Sequence, residues 1–129
     1  MKPVNLEETA TATFDLGDLA AQLEAEDAFE ASRHTAGTLV KGDDLRVILA
    51  VASEGSQLRE HAAPNPAIVV VLTGEVVFRF FETGEETTLS AGQAVAFGGG
   101  VRHVVDATED ARFLIVIGGH RPATWPEEE

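Results

Sequence analysis

The feature that most constrains the fold is a series of short apolar segments between Thr38 and Gly119, each closed by a turn. The segments are rich in Val, Ile and Phe, and glycine-containing turns separate them at intervals of about 8 to 12 residues. This spacing is typical of an antiparallel sandwich or barrel rather than of a parallel sheet with crossover helices. Within "EVVFRFFE", Arg79 falls where strand alternation points to solvent, so Phe78 and Phe80 are predicted to point inward.

A short helix is predicted before these strands. In "DLGDLAAQLEAEDAF", Leu16, Leu19 and Leu23 recur at helical spacing, and Asp15 is suited to the N-cap position. The helix is too short to stand alone, so we expect it to pack on the larger β-structure.

The composition and net charge of the chain disfavour some classes of binding partner. The 129 residues suit one ordinary domain, and the formal net charge of −13 disfavours nucleic acid and anionic membrane surfaces as partners. There is no cysteine, and no apolar run approaches the roughly 20 residues that span a bilayer. The first residues show no apolar secretory segment, so a cytoplasmic protein is expected.

Two spaced motifs carry a more specific signal. The pattern G-x5-H-x-H-x3-E-x6-G is matched by Gly55, His61 and Gly74, while Ala63 and Ala67 stand at its second histidine and its glutamate. Both glycines and the first histidine fall in register.

The second pattern, G-x5-P-x-G-x2-H-x3-N, follows at the expected distance. It is matched by Gly92, Gly100 and His103, with Gly98 in place of the proline and Ala107 in place of the asparagine. With both motifs in order on predicted strands, residues 38–118 resemble the cupins.

The resemblance implies an all-β fold, the double-stranded β-helix or jelly-roll barrel of a small, RmlC-like "cupin 2" protein, here with a short N-terminal helix. It divides the chain into an N-terminal extension (1–36), the cupin barrel (37–119) and an acidic C-terminal tail (120–129). Cupins of this kind are commonly homodimers, so a homodimer is expected. The alternating residues 9–14, "TATATF", are a candidate for a strand exchanged between the subunits.

The same resemblance implies a degenerate metal motif. Metal-binding cupins take two histidines and a carboxylate from the first motif and one histidine from the second, and only His61 and His103 match. Most first-row metal sites have three or four protein ligands. We therefore expect at most a weak two-histidine site for a divalent transition metal (Zn, Ni, Fe, Mn or Cu). A further ligand from outside the motif would have to come from Gln57, Glu60, His34 or His120.

Two functions remain open from the sequence. The first is the binding of a small organic molecule in a mostly apolar pocket within the barrel. The second is a metal-dependent cupin enzyme (a dioxygenase, isomerase or lyase) that uses His61, His103 and a ligand from outside the motif. An enzyme could also use the two histidines as acid and base without metal. The predicted pocket is lined by His61, Ala63, Ala67, Val69, Val71, Phe78, Phe80, Phe97 and His103.

Overall fold

The computed structural model describes residues 1–61 and 65–119, with the backbone alone for residues 59–61. Two helices are followed by nine strands in this part of the chain. The helices are α1 (Leu16–Glu24) and α2 (Asp27–Ser32). The strands are β1 (His34–Lys41), β2 (Leu45–Ala52), β3 (Gln57–His61), β4 (Ala67–Thr73), β5 (Glu75–Phe80), β6 (Glu86–Ser90), β7 (Ala94–Phe97), β8 (His103–Ala107) and β9 (Ala111–Gly118).

The described strands form two antiparallel sheets. The five-stranded sheet has the order β1-β2-β9-β4-β7, and the four-stranded sheet has the order β3-β8-β5-β6. β1–β2 and β5–β6 are hairpins, and the other neighbours in each sheet come from distant parts of the sequence, as in a jelly roll. The predicted all-β barrel with a short N-terminal helix is confirmed. Strand β1 begins at His34, so residues 34–36, which were predicted to belong to the N-terminal extension, are part of a strand of the five-stranded sheet.

The core lies between the two sheets. Alternation along β4 places Val69 and Val71 on the inner face, and alternation along β5 places Val76 and Phe78 there. Phe113 on β9 packs into the same cluster, and all five side chains are at most 2% exposed. Arg79, on the other face of β5, pairs with Asp106 and Glu86. The barrel interior is therefore filled by aliphatic and aromatic side chains.

Helix α1 covers the outer face of the five-stranded sheet. The Asp15 side chain accepts a hydrogen bond from the amide of Asp18 at 3.0 Å and so caps the helix, as predicted. Leu23 is buried against an outer-face cluster that includes Leu49 and Val51. Neither described helix is long and apolar enough to cross a membrane.

A two-bonded ion pair fastens α1 to the strand beneath it. The Arg112 guanidinium donates from Nε and Nη2 to the two carboxylate oxygens of Glu24, at 2.9 and 2.7 Å. These hydrogen bonds raise the pKa of Arg112 above its ordinary value. Such a forked pair fixes orientation as well as distance, so it sets how the helix lies on β9.

The N-terminal segment runs beside β1 of its own chain. Val4 forms a parallel bridge with Val40, with backbone hydrogen bonds at 2.8 and 3.0 Å to residues 39 and 41. Residues 9–14, the candidate exchanged strand, form no strand in the described chain. The alternation of "TATATF" is small and polar, and it offers little apolar area to bury on a neighbouring sheet.

Two motif glycines in left-handed conformations meet different surroundings. Gly74 has a φ of 81°, and a Cβ there would lie 2.0 Å from the carbonyl oxygen of Asp110. Gly92 has a φ of 86°, but a Cβ would meet nothing within 4 Å. Gly74 is thus required by both backbone conformation and close approach, and Gly92 by conformation alone.

We therefore predict that Gly74→Ala lowers the free energy of unfolding by about 3 kcal/mol or more, because strain and a backbone clash add together. The matched Gly92→Ala should cost about 1 kcal/mol, from the left-handed conformation alone. Urea denaturation of both variants measures the difference. Equal losses would show that the approach of Gly74 to Asp110 has no energetic weight.

Candidate functional site

One end of the barrel, here called the His103 end, contains positions from both motifs. In the five-stranded sheet the register aligns Arg46, Ile117, Ala67 and Phe97. In the four-stranded sheet it aligns the backbones of His61, His103 and Phe80. Residues directly opposite on antiparallel strands have α-carbons about 4.5 to 5.5 Å apart. The fold therefore brings these motif positions to one level of the barrel.

His103 is the buried polar group of this end. Its side chain is 3% exposed, and its Nδ1 lies 3.1 Å from the carbonyl oxygen of Val101. A carbonyl oxygen can only accept, so Nδ1 donates the proton. In the neutral ring Nε2 then carries the lone pair. Nε2 is the atom through which His103 would bind a metal ion or accept a hydrogen bond from a ligand.

Three phenylalanine rings surround the imidazole. The centroid of the His103 ring lies 4.6 Å from that of Phe97, 5.6 Å from that of Phe78 and 6.4 Å from that of Phe80. The three phenylalanine rings are 6.0 to 6.2 Å apart. These are ordinary packing distances for aromatic rings. The predicted pocket residues Phe78, Phe80 and Phe97 thus meet at His103.

The other predicted pocket residues occupy the start of β4 and the end of β3. Ala67, Val69 and Val71 are buried together on the inner face, with Ala67 7% exposed. The backbone of His61 pairs directly with that of His103. Ala63 lies outside the described residues.

The proposed extra metal ligands are not gathered at this site by the described chain. Gln57 is exposed and donates from Nε2 to a carboxylate oxygen of Asp106 at 2.7 Å. His34 pairs with Ala52 at the far end of β1, about 20 Å along the strand from the His103 end. The side chain of Glu60 and all of His120 lie outside the described part.

The donor set of the described residues does not fit a metal centre. No group of three or more His, Cys, Asp or Glu side chains among them is placed to hold an ion. Alanine at position 67 offers no lone pair where metal-binding cupins have a carboxylate. Catalytic metal sites normally keep at least three protein ligands.

Arg46 is a site residue that the sequence analysis missed. It lies on β2, whose pairing with β9 is unbroken from residue 45 to 52, and its side chain is 3% exposed. Ala50 and Ala52 belong to the core between the sheets, so alternation places Arg46 on the same inner face. The signal was present in "LRVILAVA", where Arg46 shares the period of the two alanines.

A depression opens at the His103 end where β4, β7 and β9 meet. It has a volume of about 530 Å³ and is lined by Pro66, Ala67, Ile68, Ala96, Phe97, Gly98, Val116 and Gly118. Ala67 and Phe97 belong both to this depression and to the inner face of the barrel. Ile68, Ala96 and Val116 pair with one another and alternate with the inner-face residues, so the depression opens on the outer face of the five-stranded sheet.

The loop that leads into His103 is held by Glu82 in the turn between β5 and β6. The Glu82 carboxylate accepts from the side chain of Arg102 at 3.1 Å and from its amide at 3.3 Å. The side-chain hydrogen bond from Arg102 holds the pKa of Glu82 below its ordinary value. Because Arg102 immediately precedes His103, this clamp helps to fix where β8 begins.

Comparison with solved structures places the architecture among known proteins. The chain is similar to a conserved protein of unknown function from Streptococcus pyogenes, with a TM-score of 0.69 and 23% identity over 95% of this chain and 98% of that one. A cupin superfamily protein from Desulfitobacterium hafniense DCB-2 gives 0.67 and 16% over 92% and 98%. At these identities the likeness shows the fold.

Salicylate 1,2-dioxygenase from Pseudoaminobacter salicylatoxidans is also similar in structure. Its TM-score is 0.72 at 14% identity, over 81% of this chain but only 32% of the dioxygenase. A search of curated protein sequences finds no match. The sequence profile of the Cupin domain family matches residues 46–117, more than half of the chain. The chain therefore belongs to the cupin family.

Proposed function

We propose that the protein binds a small organic molecule at the His103 end of the barrel and has at most a weak two-histidine metal site. The observation that carries this proposal is the packing of three phenylalanine rings around one buried imidazole. Small-molecule sites are mostly apolar, with a few polar groups that fix orientation.

The chemistry of the site supports binding by contact and hydrogen bonding. The rings of Phe80 and Phe97 offer apolar surface, and the hydrogen bond from Nδ1 to the carbonyl oxygen of Val101 fixes the orientation of the His103 ring.

The alternative function, a metal-dependent cupin enzyme, has weaker support. One structural relative is a dioxygenase, but fold similarity at 14% identity does not carry an activity. The described residues add no third donor to the two motif histidines. We therefore place ligand binding first. A homodimer, a cytoplasmic location and the lack of nucleic-acid or membrane partners remain proposals drawn from the sequence.

The direct test uses two buried alanines as matched methyl probes. Ala67 lies at the His103 end, and Ala111 lies on the inner face near the opposite end. In alanine-methyl-labelled protein, screened against small organic molecules of mixed charge, bound ligands should shift the methyl signal of Ala67 and leave that of Ala111 unchanged. Ring currents of the nearby phenylalanines shift the NMR signal of the Ala67 methyl, so this signal should respond sensitively when a ligand enters.

A screen in which no compound shifts the Ala67 methyl would contradict the proposal. So would ligands that act only on Ala111 or only on exposed surface residues. A shift at Ala67 that appears only after a transition metal is added would favour the enzyme alternative instead.

If the protein has a weak two-histidine metal site, Ala67→Glu should raise its affinity for Zn²⁺ or Ni²⁺ by about tenfold or more. The substitution restores the carboxylate donor that the cupin motif has at this position. Ala67→Gln is the matched control, since it has nearly the same volume but no charge. Isothermal titration calorimetry measures both variants against the unaltered protein. If the Glu and Gln variants bind equally, a carboxylate at position 67 adds no donor for the metal, which would contradict this prediction.

A further inference from the structure

We propose that residues 120–129, which lie outside the described part of the chain, fold back onto their own barrel and place Trp125 in the depression on the outer face of the five-stranded sheet. This proposal concerns a second surface and is independent of the ligand site inside the barrel. Two observations carry it. The depression has an apolar lining, and the segment 120–129 begins at its edge.

The depression exists because small residues occupy this part of the outer face. Ile68 on β4 pairs with Ala96 on β7 and with Val116 on β9, so the three residues share one level of that face. At Gly98 and Gly118, which also line the depression, an added Cβ would meet no atom within 4 Å. Ile68 consequently keeps 38% of its surface exposed. The described chain thus leaves an open apolar volume of about 530 Å³.

The lining of the depression favours an apolar occupant. None of the described residues that line it is charged, although 24% of the residues in the chain are charged. On another part of the same outer face, helix α1 buries Leu23 against Leu49 and Val51. Exposed apolar patches on soluble proteins commonly mark a surface that another group covers. The covering group should be apolar as well, since burying an unpaired charge is costly.

The end of β9 brings the chain to the edge of the depression. Gly118, the last residue of β9, lines it and donates its amide hydrogen to the carbonyl oxygen of Pro66 at 3.1 Å. Gly119 then has a φ of 89°, a left-handed conformation that turns the chain out of the strand direction. An added Cβ at Gly119 would lie 3.2 Å from the side-chain nitrogen of Asn65. The segment 120–129 therefore begins beside Asn65 and Pro66.

The segment has the length and the composition to cover the depression. Trp125 comes six residues after Gly119. Six extended residues reach about 20 Å, whereas β9 and β7 are only about 10 Å apart across β4. The indole ring supplies a large apolar surface. Pro122 and Pro126 restrict the free segment, so less conformational entropy is lost when the segment is fixed.

The covering segment should come from the same chain rather than from a second copy. A short tether gives Trp125 an effective concentration on the order of millimolar beside the depression, so a weak apolar contact is enough. Two copies that each carry a net charge of −13 repel each other instead. We therefore expect an interaction that does not depend on the protein concentration.

Tryptophan fluorescence of the full-length protein tests the proposal. Trp125 is the single tryptophan and the chain has no tyrosine, so the emission reports on this side chain alone. The emission should lie at shorter wavelength than that of N-acetyltryptophanamide. Acrylamide should quench it about twofold or more slowly, because a group bound in a pocket loses most of its exposed surface. Both values should stay the same when the protein is diluted.

Variants then assign the burial of Trp125 to the depression. Gly118→Val and Gly98→Val each place an apolar side chain in the open volume, at positions without a left-handed backbone. Each should move the emission to longer wavelength and bring acrylamide quenching close to that of the free amide. The control is Thr88→Ile, which adds an apolar side chain to the exposed face of the four-stranded sheet and should change neither value.

A second measurement leaves the depression unaltered. In alanine-methyl-labelled protein, Trp125→Ala should shift the methyl signal of Ala96, because the ring current of the indole is lost. The methyl signal of Ala111, on the inner face of the barrel, should stay in place. This comparison stands even if a glycine variant does not fold.

Three results would overturn the proposal. The first is an emission and quenching equal to those of the free amide, together with an Ala96 methyl that does not respond to Trp125→Ala. The second is burial that is lost on dilution, which would assign the contact to a second copy of the chain. The third is burial that survives in both glycine variants, which would place Trp125 on another surface.

Discussion

The unbroken antiparallel register through β2, β9 and β4 determines what the His103 end can be. Because side chains alternate strictly along a strand, this register places Arg46, Ile117 and Ala67 on one inner face at one level. A slip of one residue in β2 would turn Arg46 to the outer face and bring Val47 inward. The chemistry of the site therefore depends on backbone pairing that is set far from the two cupin motifs.

The His103 end lacks the carboxylate that metal-binding cupins have at position 67, but it contains a buried arginine. Alanine at position 67 removes a donor from the metal-binding arrangement of the family. The described interior gains a ring cluster centred on His103 and a buried guanidinium at the same level.

The sequence predicted the barrel because its signals are local: apolar runs of strand length, and glycines such as Gly74 where the backbone turns left-handed. It also predicted α1, whose cap and leucine spacing lie within a few residues of each other. Helix α2 and the pairing of Val4 with Val40 were missed, since six residues and one bridge leave no periodic pattern. Arg46 was missed because Ile117 and Ala67, which share its level in the sheet, are more than 20 residues away in sequence, and only tertiary pairing reveals them.

Mass spectrometry can measure the metal content of the untagged protein and of its His103→Ala variant after equilibration with Zn, Ni, Fe, Mn or Cu and dialysis. We expect far less than one ion per chain and no effect of the substitution, because two imidazoles without a carboxylate hold a first-row ion weakly. A stoichiometric transition metal that survives dialysis and is lost in His103→Ala would contradict it. The barrel would then be a metal centre, with donors supplied from outside the described residues.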